Sequence, residues 1–232
     1  MTSSADARPR RGWALGFALA VLAVGLAVDQ AVAGAHVAVG LGLAACLVAI
    51  ARACGLTAAD LGLAWSTWRA GLRWGAAAAA SVAVVYVLAS LIEPVRAALP
   101  EAGGDPGHTA LTVLVVIPLG TVLPEELAFR GLLLALLGRR YGLLAGILLS
   151  SGLFGLWHIV PSLGGGTANA TMASVVGADA AGTVVRVVVT VVFTSLGGVV
   201  LCWLRLRSGS LLAPVLAHWT VNGLGVIVAA LA

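Results

Sequence analysis

The sequence lacks lysine altogether and is poor in charge of either sign. Only 9% of its 232 residues are charged, and all thirteen basic residues are arginines. These arginines lie mostly at the ends of apolar stretches instead of forming one basic face. The net charge of +4 therefore gives no indication of phosphate binding, and we predict no nucleic-acid partner.

Cysteine is also scarce. Cys46, Cys54 and Cys202 are odd in number and widely separated, with no CxxC pair among them. This pattern excludes a disulfide framework. The simpler interpretation is that the three cysteines are small apolar residues of the core, because a free cysteine behaves as a small hydrophobic residue.

What the sequence has in excess is apolar residues, at 61% of the chain and a mean hydropathy of +1.09. Repeated apolar runs of about 20 residues are typical of membrane-spanning helices. We predict an all-α polytopic bundle that forms a single membrane domain over residues 1–232. Continuous runs, without alternation, argue against a β-barrel. Seven spans are predicted, at 13–34, 36–53, 71–92, 109–137, 141–160, 182–204 and 211–231. The fourth run is over-long, so eight spans is the alternative.

The distribution of arginine predicts the orientation of the bundle. With seven spans and a cytoplasmic N-terminus, ten arginines fall on one side, as the positive-inside rule requires: Arg8, Arg10, Arg11, Arg52, Arg69, Arg73, Arg139, Arg140, Arg205 and Arg207. The opposite loops contain Arg96 and the acidic residues Glu93, Glu101, Asp105 and Asp179. A composition rich in Ala and Gly, with arginine as its only strongly basic residue, fits a GC-rich bacterial genome, and we predict a multi-pass protein of the bacterial cytoplasmic membrane. The segment 54–74 has an amphipathic pattern and is predicted to lie along the cytoplasmic interface, and 161–182 to form an outer loop.

One apolar run carries charge in its middle, in the sequence TVLPEELAFRGLLL at 121–134. Ionisable groups at the centre of a membrane helix cost about 2.5–3.5 kcal/mol each, so three of them need a reason. Glu126 and Arg130 have the i, i+4 spacing that lets them pair on one helix face. Glu125 points about 100° away and needs a partner from a neighbouring helix. Pro124 is expected to kink the helix beside it.

Two further runs carry histidine. In FGLWH, Phe154 lies one turn before His158, and in HWTVN, His218 lies one turn before Asn222. Polar groups on three helices that all face the interior of a bundle can converge on one site. Counted from the helix ends, Glu125 and His158 lie deep and His218 shallow, so tilt or kinks must bring them together.

The same residues can also be explained by structural roles alone. The Glu126–Arg130 pair serves equally well to fix helix register, and a single intramembrane histidine is often only a hydrogen-bonding link between helices. The tryptophans beside the histidines, Trp157 and Trp219, are interpreted as packing or interfacial residues. The whole set together favours function, because intramembrane ionisable residues usually mark functional sites.

The three motifs resemble those of the CPBP family of intramembrane endopeptidases. EELAFR is similar to its EExxxR motif, FGLWH to FxxxH and HWTVN to HxxxN. The family includes eukaryotic type II CAAX prenyl endopeptidases and bacterial bacteriocin-processing or immunity proteins. The resemblance covers a catalytic core over about residues 109–225.

The resemblance implies hydrolysis of peptide bonds in membrane-associated peptide or protein substrates within the lipid bilayer. We predict that no cofactor is needed, because the amide of Asn222 is a poor zinc ligand but a good donor to an oxyanion. Glu125 resembles the glutamate that activates water, and His158 the histidine that assists it. His218 and Asn222 resemble the pair that stabilises the oxyanion. Glu126, Arg130 and Phe154 match the remaining, supporting motif positions.

Two alternatives remain open. A zinc-dependent protease of the same family would use Glu125, His158 and His218 as ligands and leave a fourth position free. The HxxxN helix lacks the HExxH arrangement that would favour zinc. In a non-catalytic transporter or bacteriocin-immunity protein, the same groups would bind a proton or a ligand.

Overall fold

The computed structural model describes residues 10–32, 34–93, 105–164, 172–173 and 175–231. Within these ranges the chain is helical and contains no strand. Arg8, Arg96 and Glu101 lie outside the described residues, as do 165–171 and 174 of the predicted outer loop. The all-α fold class predicted from the sequence is confirmed.

Eight helices are named here in chain order, within the described residues. They are α1 (Arg10–Ala31), α2 (His36–Ala53), α3 (Trp68–Ser90), α4 (Pro106–Tyr141), α5 (Leu143–Trp157), the short α6 (Ile159–Leu163), α7 (Ala180–Ser208) and α8 (Leu212–Leu231). Counting α5 and α6 together as Leu143–Leu163, seven segments are long and apolar enough to cross a membrane. This confirms seven spans, and the protein is a multi-pass membrane protein.

The third helix begins earlier than the sequence predicted. A 3₁₀ turn at Trp65–Thr67 leads directly into α3, and the long apolar helix extends over Trp65–Ser90. Residues 65–74 are therefore helical and continuous with the third apolar helix. Their position at the cytoplasmic interface stays a prediction. The tryptophans and arginines that gave this segment its amphipathic pattern occupy the first turns of the helix.

Helix α4 explains the over-long apolar run, because it is one continuous helix of 36 residues. At the α-helical rise of 1.5 Å per residue it would be about 54 Å long. Its wider segments shorten it, but it still exceeds the ~30 Å hydrocarbon core. Two of its segments are π-helical, Thr112–Val122 and Leu127–Leu133, and the four-residue α-helical segment Leu123–Glu126 lies between them. The acidic pair therefore lies between two stretches of wide helix.

The wide helix also creates the contact that holds α8 against α4. In the i→i+5 pattern the Val113 carbonyl would accept from residue 118, but Pro118 has no N–H. The indole Nε1–H of Trp219 donates to this carbonyl instead, at 2.7 Å. Trp219, interpreted from the sequence as a packing residue, thus fixes the helix that carries His218.

On its other side α4 packs against α2 with little space between the backbones. A Cβ atom at Gly40 would lie 2.5 Å from the Leu119 carbonyl oxygen and 2.7 Å from the Gly120 Cα, so only glycine fits. The core between α1, α2, α4 and α5 is apolar around this contact, with Leu47, Phe129 and Leu132 fully buried.

At one end of the bundle the arginines meet the loop between α2 and α3. Arg139 pairs with Asp60 at 2.7 Å, and Arg205 donates to the backbone carbonyls of Ala59 and Asp60 at 3.1 and 3.0 Å. The Leu211 N–H donates to the Gly62 carbonyl at 2.8 Å. We call this the arginine-rich end; it ties α4, α7 and the start of α8 to one loop.

Candidate active site

The acidic pair on α4 is buried. Glu126 and Arg130 have 0% and 1% of their surface exposed, and Arg130 Nη1 donates to Glu126 Oε1 at 2.8 Å. The ion pair predicted from the i, i+4 spacing is therefore present. Both side chains are completely removed from solvent in this pair, so each charge depends on the other for its stabilisation.

Glu126 has a second partner that the sequence did not predict. His218 Nδ1, on α8, lies 2.8 Å from the same Glu126 oxygen. A carboxylate can only accept, so this ring nitrogen carries the proton. Glu126 thereby orients the imidazole of His218, and Arg130 donates to the same Glu126 oxygen. The three side chains form a chain of charge-assisted contacts between two helices.

Glu125 points to different partners, as its rotation about the helix predicted. Trp157 Nε1 donates to Glu125 Oε1 at 2.9 Å. The other oxygen, Oε2, is buried without a hydrogen-bond partner among the described residues, and it lies 3.9 Å from His218 Nε2. One carboxylate oxygen is fixed, while the second faces the histidine and is free to act.

Trp157 is a residue that sequence analysis missed. It was interpreted as a packing or interfacial residue, although a buried indole N–H usually needs an acceptor. Its position next to His158 in an apolar helix was the available signal. Glu125, without a partner on its own helix, was the acceptor to match with it.

The HxxxN motif forms one cluster, as its spacing predicted. Asn222 Nδ2 lies 3.3 Å from His218 Nε2, one helical turn along α8. The amide therefore stands beside the ring nitrogen that faces Glu125. A carboxylate oxygen, an imidazole nitrogen and an amide meet in one small volume.

His158 is held differently. Its Nδ1 lies 2.7 Å from the Phe154 carbonyl oxygen, which can only accept, so Nδ1 is protonated. In the neutral ring, Nε2 is then an unprotonated nitrogen. Among the described residues, no hydrogen bond or ion pair joins His158 to Glu125. The histidine nearest to the unbonded Glu125 oxygen is His218, whereas the sequence had paired Glu125 with His158.

Phe154 forms an apolar wall between the two histidines. Its ring makes edge contacts with His158 and His218 at centroid distances of 4.6 and 5.7 Å. The guanidinium of Arg130 lies over the same ring, 3.9 Å from its centre. Phe154 therefore provides a cation–π contact and keeps the rings of the site in position, which gives the FxxxH motif a physical reason.

Two cavities reach these side chains from different directions. We call the larger one the groove; it has a volume of about 560 Å³ and lies between α3, α5, α7 and α8. His158, His218 and Asn222 line it. A smaller pocket of about 250 Å³ is lined by Glu125 and Trp157 and by residues at the α1–α2 junction. The polar groups thus separate the two cavities.

Comparison with protein families identifies the chain. A family model described as "Type II CAAX prenyl endopeptidase Rce1-like" matches residues 107–224, just over half of the chain. The chain belongs to this family. The matched segment contains all three motifs and nearly coincides with the core, 109–225, outlined from the sequence. No curated protein and no solved structure matches the chain significantly.

Membership of the Rce1-like family supports, at the family level, a peptidase that acts on membrane-embedded peptides in the lipid bilayer. The resemblance stated from the motifs is consistent with this assignment. It does not assign a role to individual side chains of this chain.

The zinc alternative requires Glu125, His158 and His218 to come together. Within the part of the chain that the structure describes, no three His, Cys, Asp or Glu side chains are grouped closely enough to hold a metal ion. The three residues proposed as ligands therefore do not form a ligand set in this arrangement, and no step of the chemistry below passes through a metal.

Proposed function

We propose that this Rce1-like protein is an intramembrane endopeptidase that hydrolyses peptide bonds of membrane-associated peptides or proteins, with Glu125 as general base and without a metal. The observation that carries the proposal is the buried, unbonded Oε2 of Glu125, 3.9 Å from His218 Nε2 and beside the Asn222 amide. A base next to hydrogen-bond donors is what water-driven cleavage of an amide needs.

The contacts of His218 support a role for it beside the cleavage site. Its Nδ1–H donates to Glu126, and its Nε2 lies next to the Asn222 amide and the unbonded oxygen of Glu125. Nε2 donates to the substrate oxygen in the form that carries a proton there, and in that form it cannot bond to the Asn222 amide nitrogen, which is also a donor. Both groups can then donate to the same oxygen.

The proposed reaction runs as follows. Glu125 takes a proton from a water molecule whose oxygen attacks the carbonyl carbon of the substrate. The electron pair of the C=O bond moves to oxygen, and His218 and Asn222 donate hydrogen bonds to that oxyanion. When the tetrahedral intermediate collapses, the C–N bond breaks and the leaving amine receives the proton held by Glu125.

His158 is assigned an assisting role. Its neutral ring presents an unprotonated Nε2, and the residue lines the groove together with His218 and Asn222. From there it can accept a hydrogen bond from the attacking water or from the substrate N–H.

The orientation of the site in the cell is part of the proposal. With the N-terminus in the cytoplasm of a bacterium, the arginine-rich end faces the cytoplasm and the C-terminal helix ends outside. The site then lies within the cytoplasmic membrane, partway along α4.

The test uses Glu125→Gln, which keeps the size of the side chain and an acceptor for Trp157. Membrane-associated peptides are compared by proteomics in cells that carry the wild-type protein or the variant, with equal amounts of folded protein verified in detergent. Cleavage products should appear only with the wild type. Equal products in both strains would contradict the assignment of Glu125, and the absence of products in both would favour a transporter or immunity protein.

Elemental analysis of the same purified protein decides between the two protease mechanisms. We expect no stoichiometric zinc and full activity after dialysis against a chelator. About one zinc per chain, with activity lost on chelation and restored by zinc, would establish the metal-dependent alternative.

A further inference from the structure

The groove lies between α3 and α7, which both pack along α8 and contact each other less than either contacts α8. Near the arginine-rich end the rings of Trp74 and Trp203 meet edge to face with centroids 5.3 Å apart. The guanidinium of Arg207 covers Trp74 at 5.4 Å. The two helices are therefore joined at that end, whereas Val200 and Phe193, which line the groove further along α7, are exposed.

Away from its inner end, the lining of the groove is mostly apolar. Phe193 and Val200 on α7 are 71% and 57% exposed, and no Asp, Glu, Lys or Arg is among the described residues that line it. A charged side chain inside it would have no counter-charge in a low-dielectric surrounding. The composition of the groove therefore disfavours the binding of charged side chains.

The inner end of the groove is polar in a way that suits a peptide. His158, His218 and Asn222 line this end, and Ser81 and Thr194 line its sides with hydroxyl groups that donate to their own helices. A peptide backbone brings N–H and C=O groups that must find partners inside a membrane. An acyl chain would bring none and could form no hydrogen bond with the imidazole and amide groups.

Gly197 lies in the wall of the groove on α7. A Cβ atom at this position would meet nothing within 4 Å, so the glycine leaves open space. The next residue, Gly198, is different, because its Cβ would lie 3.0 Å from the Ser151 Cβ, in the contact between α7 and α5. Helix packing therefore explains Gly198 but gives no reason for Gly197.

From this geometry we infer that substrates enter the groove laterally between α3 and α7 as uncharged, apolar peptide segments, and that Gly197 sets the largest side chain they can carry. The inference rests on the proposed function and specifies its substrate class. Leucine at position 197 would fill the space with an apolar side chain without disturbing a helix contact.

Binding is tested in the inactive Glu125→Gln background, so that the result does not depend on catalysis. The probes are acetylated and amidated octapeptides of Ala, Val and Leu. One carries a central Leu, a second carries a central Ala, and a third carries a central Asp. Each binds to protein in phosphatidylcholine–phosphatidylglycerol vesicles, and the quenching of tryptophan fluorescence by a labelled peptide gives the affinity.

Gly197→Leu should weaken binding of the Leu peptide about tenfold or more, because a side chain of this size contributes about 1.5–3 kcal/mol when buried. Binding of the Ala peptide should change less than about threefold, since it does not need that space. The Asp peptide should bind poorly to both proteins. Gly42→Leu is the matched control, because Gly42 also has nothing within 4 Å but lies on α2, away from the groove.

Equal loss of binding for the Leu and Ala peptides, or none for either, would overturn the role of Gly197. Binding of the Asp peptide as tight as that of the Leu peptide would overturn the uncharged substrate class. Competition by a free fatty acid with the same sensitivity to Gly197→Leu would identify a lipid site instead. Size-dependent binding without cleavage by the wild-type protein would support the role of the groove in binding and contradict the proposed protease activity. Cleavage that is insensitive to position 197 would support the protease activity and contradict the role of Gly197.

Discussion

Among the residues whose burial the structure describes, two arginines are buried, and they are stabilised in different ways. Arg130, in the middle of α4, pairs with the Glu126 carboxylate and lies over the ring of Phe154. Arg205, near the end of α7, is 7% exposed, and its hydrogen bonds within the described residues go to the backbone carbonyls of Ala59 and Asp60. In the centre of the bundle the charge is held by a direct ion pair, whereas at the arginine-rich end it is held by carbonyl groups, with the Asp60 carboxylate as a more distant opposite charge.

The difference indicates the purpose of each arginine. The carboxylate that neutralises Arg130 also orients His218, so the stabilisation of one charge arranges a side chain of the candidate site. Arg205 connects a loop to the end of a helix and contacts no member of the candidate site. Buried charge alone therefore does not identify a functional residue; its partners do.

The largest effect on stability is expected at Arg130. Arg130→Ala leaves Glu126, which is 0% exposed, without its cationic partner, and a broken buried pair costs about 3–5 kcal/mol. Unfolding in detergent with increasing dodecyl sulfate measures the loss. The double variant Glu126→Gln with Arg130→Ala should recover part of it, and no recovery would mean that packing on Phe154 dominates.

A smaller loss is expected at Arg205. Arg205→Ala removes two hydrogen bonds that share one charged donor nitrogen, Nη2, and a single hydrogen bond of this charged type contributes about 1.5–3 kcal/mol. Its neighbour Arg207 is exposed and covers Trp74, so Arg207→Ala is the matched control and should cost about 1 kcal/mol or less. The same unfolding assay measures both. A loss at Arg207 as large as at Arg205 would remove the distinction between a buried and an exposed arginine.

Limited proteolysis tests whether Arg130 and Arg205 stabilise different parts of the protein. The loop that contains Asp60 should become more sensitive to protease in Arg205→Ala than in Arg130→Ala, because only the first substitution releases the carbonyls at 59 and 60. Equal sensitivity in both variants would show that the two arginines do not act on separate parts of the protein.

The smallest expected effect is a loss of stability at acidic pH. Hydrogen bonds from the backbone N–H and the hydroxyl of Thr57, followed by the pairing with Arg139, lower the pKa of Asp60 below its usual value of about 4. A lowered pKa adds stability that is complete above the usual value and is lost as the pH falls through the folded-state value. Because Asp60 is partly exposed, we expect about 1 kcal/mol or less.

Asp60→Asn should therefore be less stable than the wild type at pH 7, and the two proteins should converge as the pH falls below about 4. Unfolding of both proteins between pH 7 and pH 3 measures this. A constant difference over this range would mean that the carboxylate charge is not the source of the stability.

The sequence was sufficient for the features that depend on local spacing and composition. Apolar runs of about 20 residues require spanning helices, because backbone polar groups in lipid must bond within their own segment. The i, i+4 spacing brought Glu126 to Arg130 and His218 to Asn222, since helical geometry fixes these neighbours. The rotation of Glu125 away from Glu126 correctly indicated a partner on another helix.

Only the tertiary structure decided which side chains meet across helices. Counting residues from the helix ends placed His218 and Glu125 at different depths, yet His218 Nε2 and Glu125 Oε2 lie 3.9 Å apart. Helix α4 has 36 residues and α8 has 20, so the ends of the two helices are not at the same level. The donors to Glu125 and to the Val113 carbonyl, Trp157 and Trp219, depended likewise on helix rotation and on a wide helical turn. Spacing along one helix is fixed by the backbone, whereas the register between helices is set by the packing of all their side chains together.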